Sequence, residues 1–496
     1  MEETAWNKLG AYLKETQILG SIQSTLYWDQ NTTMPKEGSN WRAEQLTYIA
    51  KKLHKRNSSQ EFGDLINSAE VELSTLKDDK KEIKVQNINL LNKEYTRQKK
   101  IDPLLVEKLA RAKSKGYQNW QQAKLDNDYE IFQPFLKELI NLRKEEANQL
   151  AEDLSPWETL AQPYEPDLTK SFLNKTFTAL KETIPPLLKN VKKRKKEVWD
   201  IDPNAQKVLC SMLLDEFGRK KELLSVAESP HPFSITLGPR DFRITTRIVK
   251  GEPFSSFLAT AHEWGHSIYE QGLPSQTHQW FAWPLGQATS MAVHESQSLF
   301  WENRITKSKS FAKSFFKRFS NQGCPHKSYK ELWKEMNIFK AGLNRVEADE
   351  LSYGLHILIR TELEIEMIEG NLDTRDLSYE WNNRYKNLLG VKPLKDSEGC
   401  LQDVHWSEGA FGYFPSYLLG HLISAQISTK LENDIGSIED LIENRSYEKI
   451  IFWLNNNVHK YGRTLNSMEL VLKVTNLELS SEAFIKYMKN KIRDLD

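Results

Sequence analysis

The chain has 496 residues, of which 39% are hydrophobic and 27% charged, a composition that supports a large buried core and excludes a disordered or collagen-like chain. Lys+Arg and Asp+Glu balance at 68 each, so the formal charge is zero and nothing in the balance calls for a nucleic acid or another polyanion. Cys210, Cys324 and Cys400 are odd in number and far apart, which excludes a disulfide framework or thiolate metal site and suits a reducing compartment.

The start of the chain, Met1-Glu2-Glu3-Thr4-Ala5-Trp6, is polar and leads into no long apolar run, so the expectation is a cytoplasmic protein with no signal peptide and no membrane segment. From about 37 to 156, apolar residues recur at three- and four-residue spacing, as in Gln86 to Lys100 and Pro103 to Lys124. Breaks are expected at Asp102-Pro103 and Ser155-Pro156. The run Lys192-Lys193-Arg194-Lys195-Lys196 reads as a solvated helix face. Between Ser229 and Gly251 the helical period stops. Ile235 and Leu237, then Phe242, Ile244 and Ile248, flank Gly238-Pro239 as in a short hairpin or small sheet. An edge strand there would hold an extended peptide by main-chain hydrogen bonds.

A helix then runs from Pro253 to Gly272-Leu273-Pro274. A second is expected from about Gln287 to Ile305, and a third, long one from about Leu332 to Glu369, stopping at Gly370-Asn371. No internal repeat, low-complexity tract or long linker divides the chain. The expectation is a single mainly α-helical unit over 1–496, with a small β element near 231–250.

His262-Glu263-Trp264-Gly265-His266 carries the chemistry. Residues four apart on a helix share a face, so both imidazoles can converge on one divalent ion, with Glu263 placed to take a proton from the attacking water. Two histidines leave a catalytic metal one protein ligand short. Glu295, 29 residues after His266 and on the next expected helix, completes a His-His-Glu set. His294 is its rival, but adjacent helical positions point about 100° apart, so only one of the two reaches the ion. Glu270 and Glu302 are candidates to fix the imidazole tautomers.

Six separated motifs then occur in order: His231-Pro232-Phe233; Asp241-x-Arg243-x-Thr245; His262-Glu263-x-x-His266; His294-Glu295-Ser296-Gln297; Arg345-x-x-Ala348-Asp349; and Gly399-x-x-Gln402-Asp403-x-His405-Trp406. With Leu26-Tyr27-Trp28-Asp29-Gln30, Met34-Pro35 and Gly409-Ala410-Phe411-Gly412-Tyr413-Phe414-Pro415, they span nearly the whole chain. The sequence thereby resembles the carboxypeptidase Taq family of metallopeptidases. That resemblance implies a large helical, cleft-bearing fold of the kind shared with neurolysin and angiotensin-converting enzyme, usually as a homodimer. It implies release of single residues from peptide C-termini with broad tolerance, commonly sparing proline, and a site metal that is usually zinc, with cobalt in some members. His262, His266 and Glu295 match the ligands and Glu263 the general base. One departure is Asn344, where an apolar residue usually precedes the arginine.

Recognition of a free C-terminal carboxylate calls for a guanidinium, and Arg345 is the matched position. Its bland alternative is a helical i, i+4 pair with Asp349. Arg243 and Thr245 either position substrate or brace the hairpin. His405 and one of Tyr413 and Tyr417 are expected to donate to the tetrahedral oxyanion. The partners expected are peptides with a free C-terminus, and neither nucleic acid nor membrane. Competing readings are a cleft-type oligopeptidase or dipeptidyl carboxypeptidase with the same metal chemistry, and a non-catalytic scaffold that keeps the metal for stability.

Overall fold

In this computed structural model, which describes residues 4–75, 81–150, 153–277 and 280–496, polar caps and prolines set the helix boundaries along the first half of the chain. Helix α1 (Ala5–Thr32) precedes the stretch expected to be helical, and α2 (Ser39–Asn57), α3 (Gln60–Thr75), α4 (Lys81–Lys100), α5 (Pro103–Asp126) and α6 (Tyr129–Leu150) occupy it. Both breaks fall where the sequence puts them. Asp102 accepts from the Leu104 amide with Pro103 in the first turn, and Ser155 with Glu158 forms a reciprocal capping box before Pro156. Helices α1, α3 and α4 bury a cluster of their own that includes Leu9, Leu13, Ile66 and Leu91, and Trp283 from far along the chain closes it.

Helices α7 (Pro156–Ala161), α8 (Lys170–Asn190) and α9 (Pro203–Glu216) follow. The basic run is not a helix face: α8 ends at Asn190, and Val191 is already extended. Stacked like charges at i, i+4 would repel in a helix. Instead Arg194 donates to the Leu495 carbonyl at 2.7 Å and Lys192 to that of Asp496 at 2.9 Å.

The β element is larger than a hairpin. β2 (Ser234–Gly238) and β3 (Asp241–Thr246) form the expected antiparallel pair, but β1 (Leu224–Glu228) adds a strand parallel to β3, giving the order β1-β3-β2. Phe242 and Ile244 point inward as the alternation requires, whereas Ile248 lies beyond the strand. β1 escapes sequence reasoning because it is mostly exposed, with no alternation of buried and exposed positions, and its partner is not its neighbour in sequence.

Helix α10 (Pro253–Gly272) has the expected bounds. The next helix, α11 (Met291–Leu299), starts four residues later than expected because Ser290 is its cap, and it widens into a π-helical segment, Phe300–Thr306. After α12 (Lys309–Ser320), the long helix expected from Leu332 to Glu369 is two: α13 (Tyr329–Met336) and α14 (Tyr353–Glu369), with Gly370 left-handed at the end. Between them, side chains take over the backbone bonds. Asn337 donates to the Trp333 and Lys307 carbonyls. The Asp349 carboxylate accepts from the amides of Lys340, Leu351 and Ser352.

Helices α15 (Leu377–Leu389), α16 (Pro415–Ile435), α17 (Ile438–Glu443), α18 (Tyr447–Asn457), α19 (Ser467–Thr475) and α20 (Glu482–Leu495) complete the body. α14 and α16 are buried on nearly every face, polar side chains such as Arg360, Glu364, His421 and Gln426 included, because neighbours surround them, and α16 packs along α11. Among the described residues, no helix is long and apolar enough to cross a membrane.

Candidate active site

His262 and His266 project from one face of α10 toward Glu295 on α11. His262 Nε2 lies 3.6 Å and His266 Nε2 3.5 Å from Glu295 Oε2, and one donor atom from each of the three falls within 4.8 Å of the others. Tetrahedral zinc with ligands at about 2.0–2.1 Å separates neighbouring donors by about 3.3–3.4 Å. The set therefore fits a divalent ion with little movement, and its two imidazoles and one carboxylate are the donors zinc takes at catalytic sites.

Two glycines allow this convergence. A Cβ on Gly265 would sit 2.5 Å from the Gln297 carbonyl oxygen and the Ser298 Cα, so α10 and α11 cross in backbone contact there. A Cβ on Gly420 of α16 would sit 2.7 Å from Glu295 Cγ, so α16 backs the third ligand. Neither glycine stands out in the sequence, since the need for it comes from a neighbouring helix.

The surroundings of the two imidazoles differ. Glu302, in the π-helical segment, accepts from His262 Nδ1 at 2.9 Å and from Lys307 Nζ at 2.8 Å. The other expected partner, Glu270, does not reach His266 directly. It bonds His294 Nε2 at 2.9 Å, and His294 Nδ1 faces His266 Nδ1. His294 is thus a support behind His266 and not a member of the three-residue set. Burial opposes a charge on His262, but Glu295, Glu302 and Glu263 outweigh it and bring its pKa up to about 10. Burial together with the imidazoles of His294 and His262 holds His266 well below the usual range. A site that retains a proton this strongly is one that a cation completes. Glu263 is buried, and burial with the nearby Glu295 charge pushes its carboxyl up to about 7.

Facing the metal set is a second group, carried by the irregular segments. Arg345 does not pair with Asp349. Its Nε donates to Asp403 Oδ1 at 2.8 Å and its Nη1 to the Tyr353 hydroxyl at 3.0 Å, and the guanidinium lies over the Tyr417 ring. Arg360, fully buried on α14, donates to the other oxygen of Asp403 at 2.6 Å. Two guanidiniums therefore share one carboxylate. His405 packs on Tyr413, Phe414 and Tyr417, and burial holds its pKa down at about 4, so it is neutral near pH 7. Tyr413 and Tyr417 pack edge to face, and Gly420, on the same helix as Tyr417, lies against Glu295, which places this wall beside the third ligand. Tyr417 and Gly420 are three apart on α16, so one helix face serves both walls.

Sequence reasoning missed Arg360 and Tyr353, and only the tertiary contacts mark them. Arg243 is engaged elsewhere, pairing with Asp241 at 3.0 Å and lying over Trp28 of α1. Thr245 is buried and accepts from the Phe233 amide at 2.9 Å, bracing the sheet. Beside the metal set, a cleft of about 540 Å³ is lined by Ser234, Ile235 and Thr236 of edge strand β2, and by Glu270, His294 and Tyr164.

The sequence signature of the family described as carboxypeptidase Taq (M32) metallopeptidase matches residues 8–492. Thermostable carboxypeptidase 1 of Thermus thermophilus is 34% identical over 99% of this chain and 98% of its own length. Carboxypeptidase 1 of Bacillus subtilis is 33% identical over 97% of each. The crystal structure of the M32 carboxypeptidase from Deinococcus radiodurans R1 superposes with a TM-score of 0.93 at 28% identity, covering 99% of both chains.

Proposed function

Because this chain belongs to the carboxypeptidase Taq (M32) family of metallopeptidases, we propose a division of labour in which the α10–α11 wall performs the hydrolysis and the Arg345 wall selects the peptide terminus. The activity is that of a metallocarboxypeptidase releasing C-terminal residues from peptides. His262, His266 and Glu295 would hold one divalent metal, for which zinc suits the donor set and cobalt is the alternative. When bound, the metal polarises the scissile carbonyl and acidifies a water.

Glu263 takes the proton from the attacking water on a carboxylate oxygen and delivers it to the leaving amine nitrogen. Its raised pKa suits both halves of that transfer. Glu302 holds the Nδ1 proton of His262, which fixes that ring with Nε2 toward the ion. Tyr413 and Tyr417 keep their protons, because burial raises both phenols, and they supply donors to the developing oxyanion along with neutral His405. β2, an edge strand whose Ser234, Ile235 and Thr236 line the cleft, offers its main chain to the substrate backbone.

The observation that carries the exopeptidase reading is the pair of buried guanidiniums on the single carboxylate of Asp403. One positive charge is left over in a desolvated wall, and a peptide's terminal carboxylate supplies its counter-ion. Arg345 is the member that reaches toward Tyr417 and the site, while Arg360 anchors Asp403. Arg243 acts in bracing the sheet. The homodimer rests on the resemblance alone and is decided by light scattering. Three free thiols support a reducing, cytoplasmic setting.

Mass spectrometry of a digested peptide tests the reading. A ladder of single-residue losses from the C-terminus, abolished by C-terminal amidation, is expected. Loss of residues in pairs, or internal cuts, would instead mark a dipeptidyl carboxypeptidase or an oligopeptidase. The same assay on metal-depleted protein reloaded with zinc or with cobalt identifies the metal.

A further inference from the structure

On the far side of Glu302 from the metal set lies a second cavity, of about 380 Å³, where the π-helical segment meets α16, α17 and α20. Its lining includes five cationic side chains, Arg304, Lys307, Lys309, Lys486 and Lys491. Three carboxylates also line it and bring negative charge to it, two of them turned onto backbone amides. Glu439 accepts from the Lys309 and Ser310 amides, and Glu432 from the Ile438 amide. The third, Asp494, is contacted by Arg493 at 3.4 Å. Lys491 is buried and paired with Glu350 at 2.7 Å, and Lys307 is paired with Glu302. Among the described residues, Arg304 and Lys486 form no salt bridge; Arg304 lies against the Tyr487 ring, with the Glu350 charge acting on it from nearby.

From this cavity we infer an anion site for a phosphate-class dianion, gripped by Arg304, Lys486 and Lys307 and felt at the metal set through Lys307–Glu302–His262. The cavity is ample for a phosphate group, and Ser428, Thr429 and Asn490 add neutral donors to its wall. A guanidinium beside flexible ammonium groups is the usual equipment for phosphate recognition.

The coupling runs along a chain of hydrogen bonds. Lys307 Nζ holds Glu302 Oε1 at 2.8 Å, and Glu302 Oε2 holds His262 Nδ1 at 2.9 Å. A dianion that shares Lys307 leaves Glu302 less neutralised, so its pull on the His262 Nδ1 proton rises and Nε2 becomes the more basic ligand atom. Occupancy therefore tightens the hold on the metal. This second half rests on His262 being a ligand, whereas the anion site itself does not.

Titration calorimetry with inorganic phosphate, at ionic strength held constant with chloride, tests the site on both metal-loaded and metal-depleted protein. One saturable event is expected in each, weakened at least tenfold in R304A/K486A. Zinc loss to a chelator is then followed, and saturating phosphate is expected to slow it several-fold in the native protein but not in the double variant. No saturable binding, or binding unchanged in the double variant (as when phosphate sits on the metal), overturns the site. Binding that the variant loses, with zinc loss indifferent to phosphate, overturns the coupling. Should the double variant fail to fold, Lys486→Ala alone, at an exposed position, carries the same two readouts.

Discussion

The two walls of the active site are built in opposite ways. The metal wall comes from two regular helices, α10 and α11, so its donors are set by helical spacing and by one crossing in backbone contact at Gly265. The opposite wall comes from the irregular segment between α13 and α14 and from the stretch around Gln402 to Phe414, with only Tyr353, Arg360 and Tyr417 on helices. Its parts are held by charge, through Asp403 between two guanidiniums, and not by a repeat in the chain. A helix can place ligands to within tenths of an ångström, which metal coordination demands. A buried ionic cluster can hold one unneutralised charge ready for a terminus, which recognition demands.

The sharpest way to break this division is Glu263→Gln. Turnover should fall by about a hundred- to ten-thousandfold, while metal content measured by chelator titration stays near native. Turnover that survives would move the proton transfer off the metal wall. Next in size is Arg345→Met, which removes a charged hydrogen bond to the terminus worth about 2–3 kcal/mol. The specificity constant kcat/KM for free-acid peptides should drop about 30- to 150-fold, with zinc affinity unmoved. A matching loss of stability in denaturant melts, with zinc affinity also reduced, would show that Arg345 serves the fold and not the terminus.

Glu302→Gln should act on the other wall alone. Zinc affinity in chelator competition should weaken about ten- to a hundredfold, while KM for peptides barely moves. The smallest effect concerns His459, which backs α11 by bonding Gln297 at 3.0 Å. It is fully buried, and burial holds its pKa down at about 3, against about 6.5 in the unfolded chain. The unfolded state therefore binds the extra proton first, and the stability this group contributes is present above pH 6.5 and lost as pH falls toward 3. The slope is at most about 1.4 kcal/mol per pH unit. Denaturant melts between pH 7 and 5 should be less pH-dependent in His459→Gln, and an unchanged slope would assign the acid sensitivity elsewhere.

Much of the metal wall is legible in one dimension. The i, i+4 histidines and the glutamate between them depend on local periodicity, which a sequence displays, while Glu295 is preferred to His294 on donor chemistry and the family resemblance. The positions of Arg345 and Asp403 are legible only through the family resemblance, and their contact is not. Helical periodicity runs through the segment 337–352 and suggests one long helix, yet Asn337, Asn344 and Asp349 turn their side chains onto the backbone and break it. That break frees Arg345 from Asp349 and lets it cross to Asp403. β1 was invisible for a related reason, since it pairs with a strand that is not next to it in the chain.

The sequence by itself determined the helical class and the bounds of α10, and it singled out the candidate metal donors and the candidate base, because each rests on spacing within a few turns of one helix or on residue chemistry. The tertiary structure decided which glutamate serves which histidine, that His294 stands behind His266, and that Arg360 and Tyr353 complete the carboxylate wall. Those choices depend on distances between segments remote in the chain, and they are fixed only when α10, α11, α14 and α16 pack around one buried core.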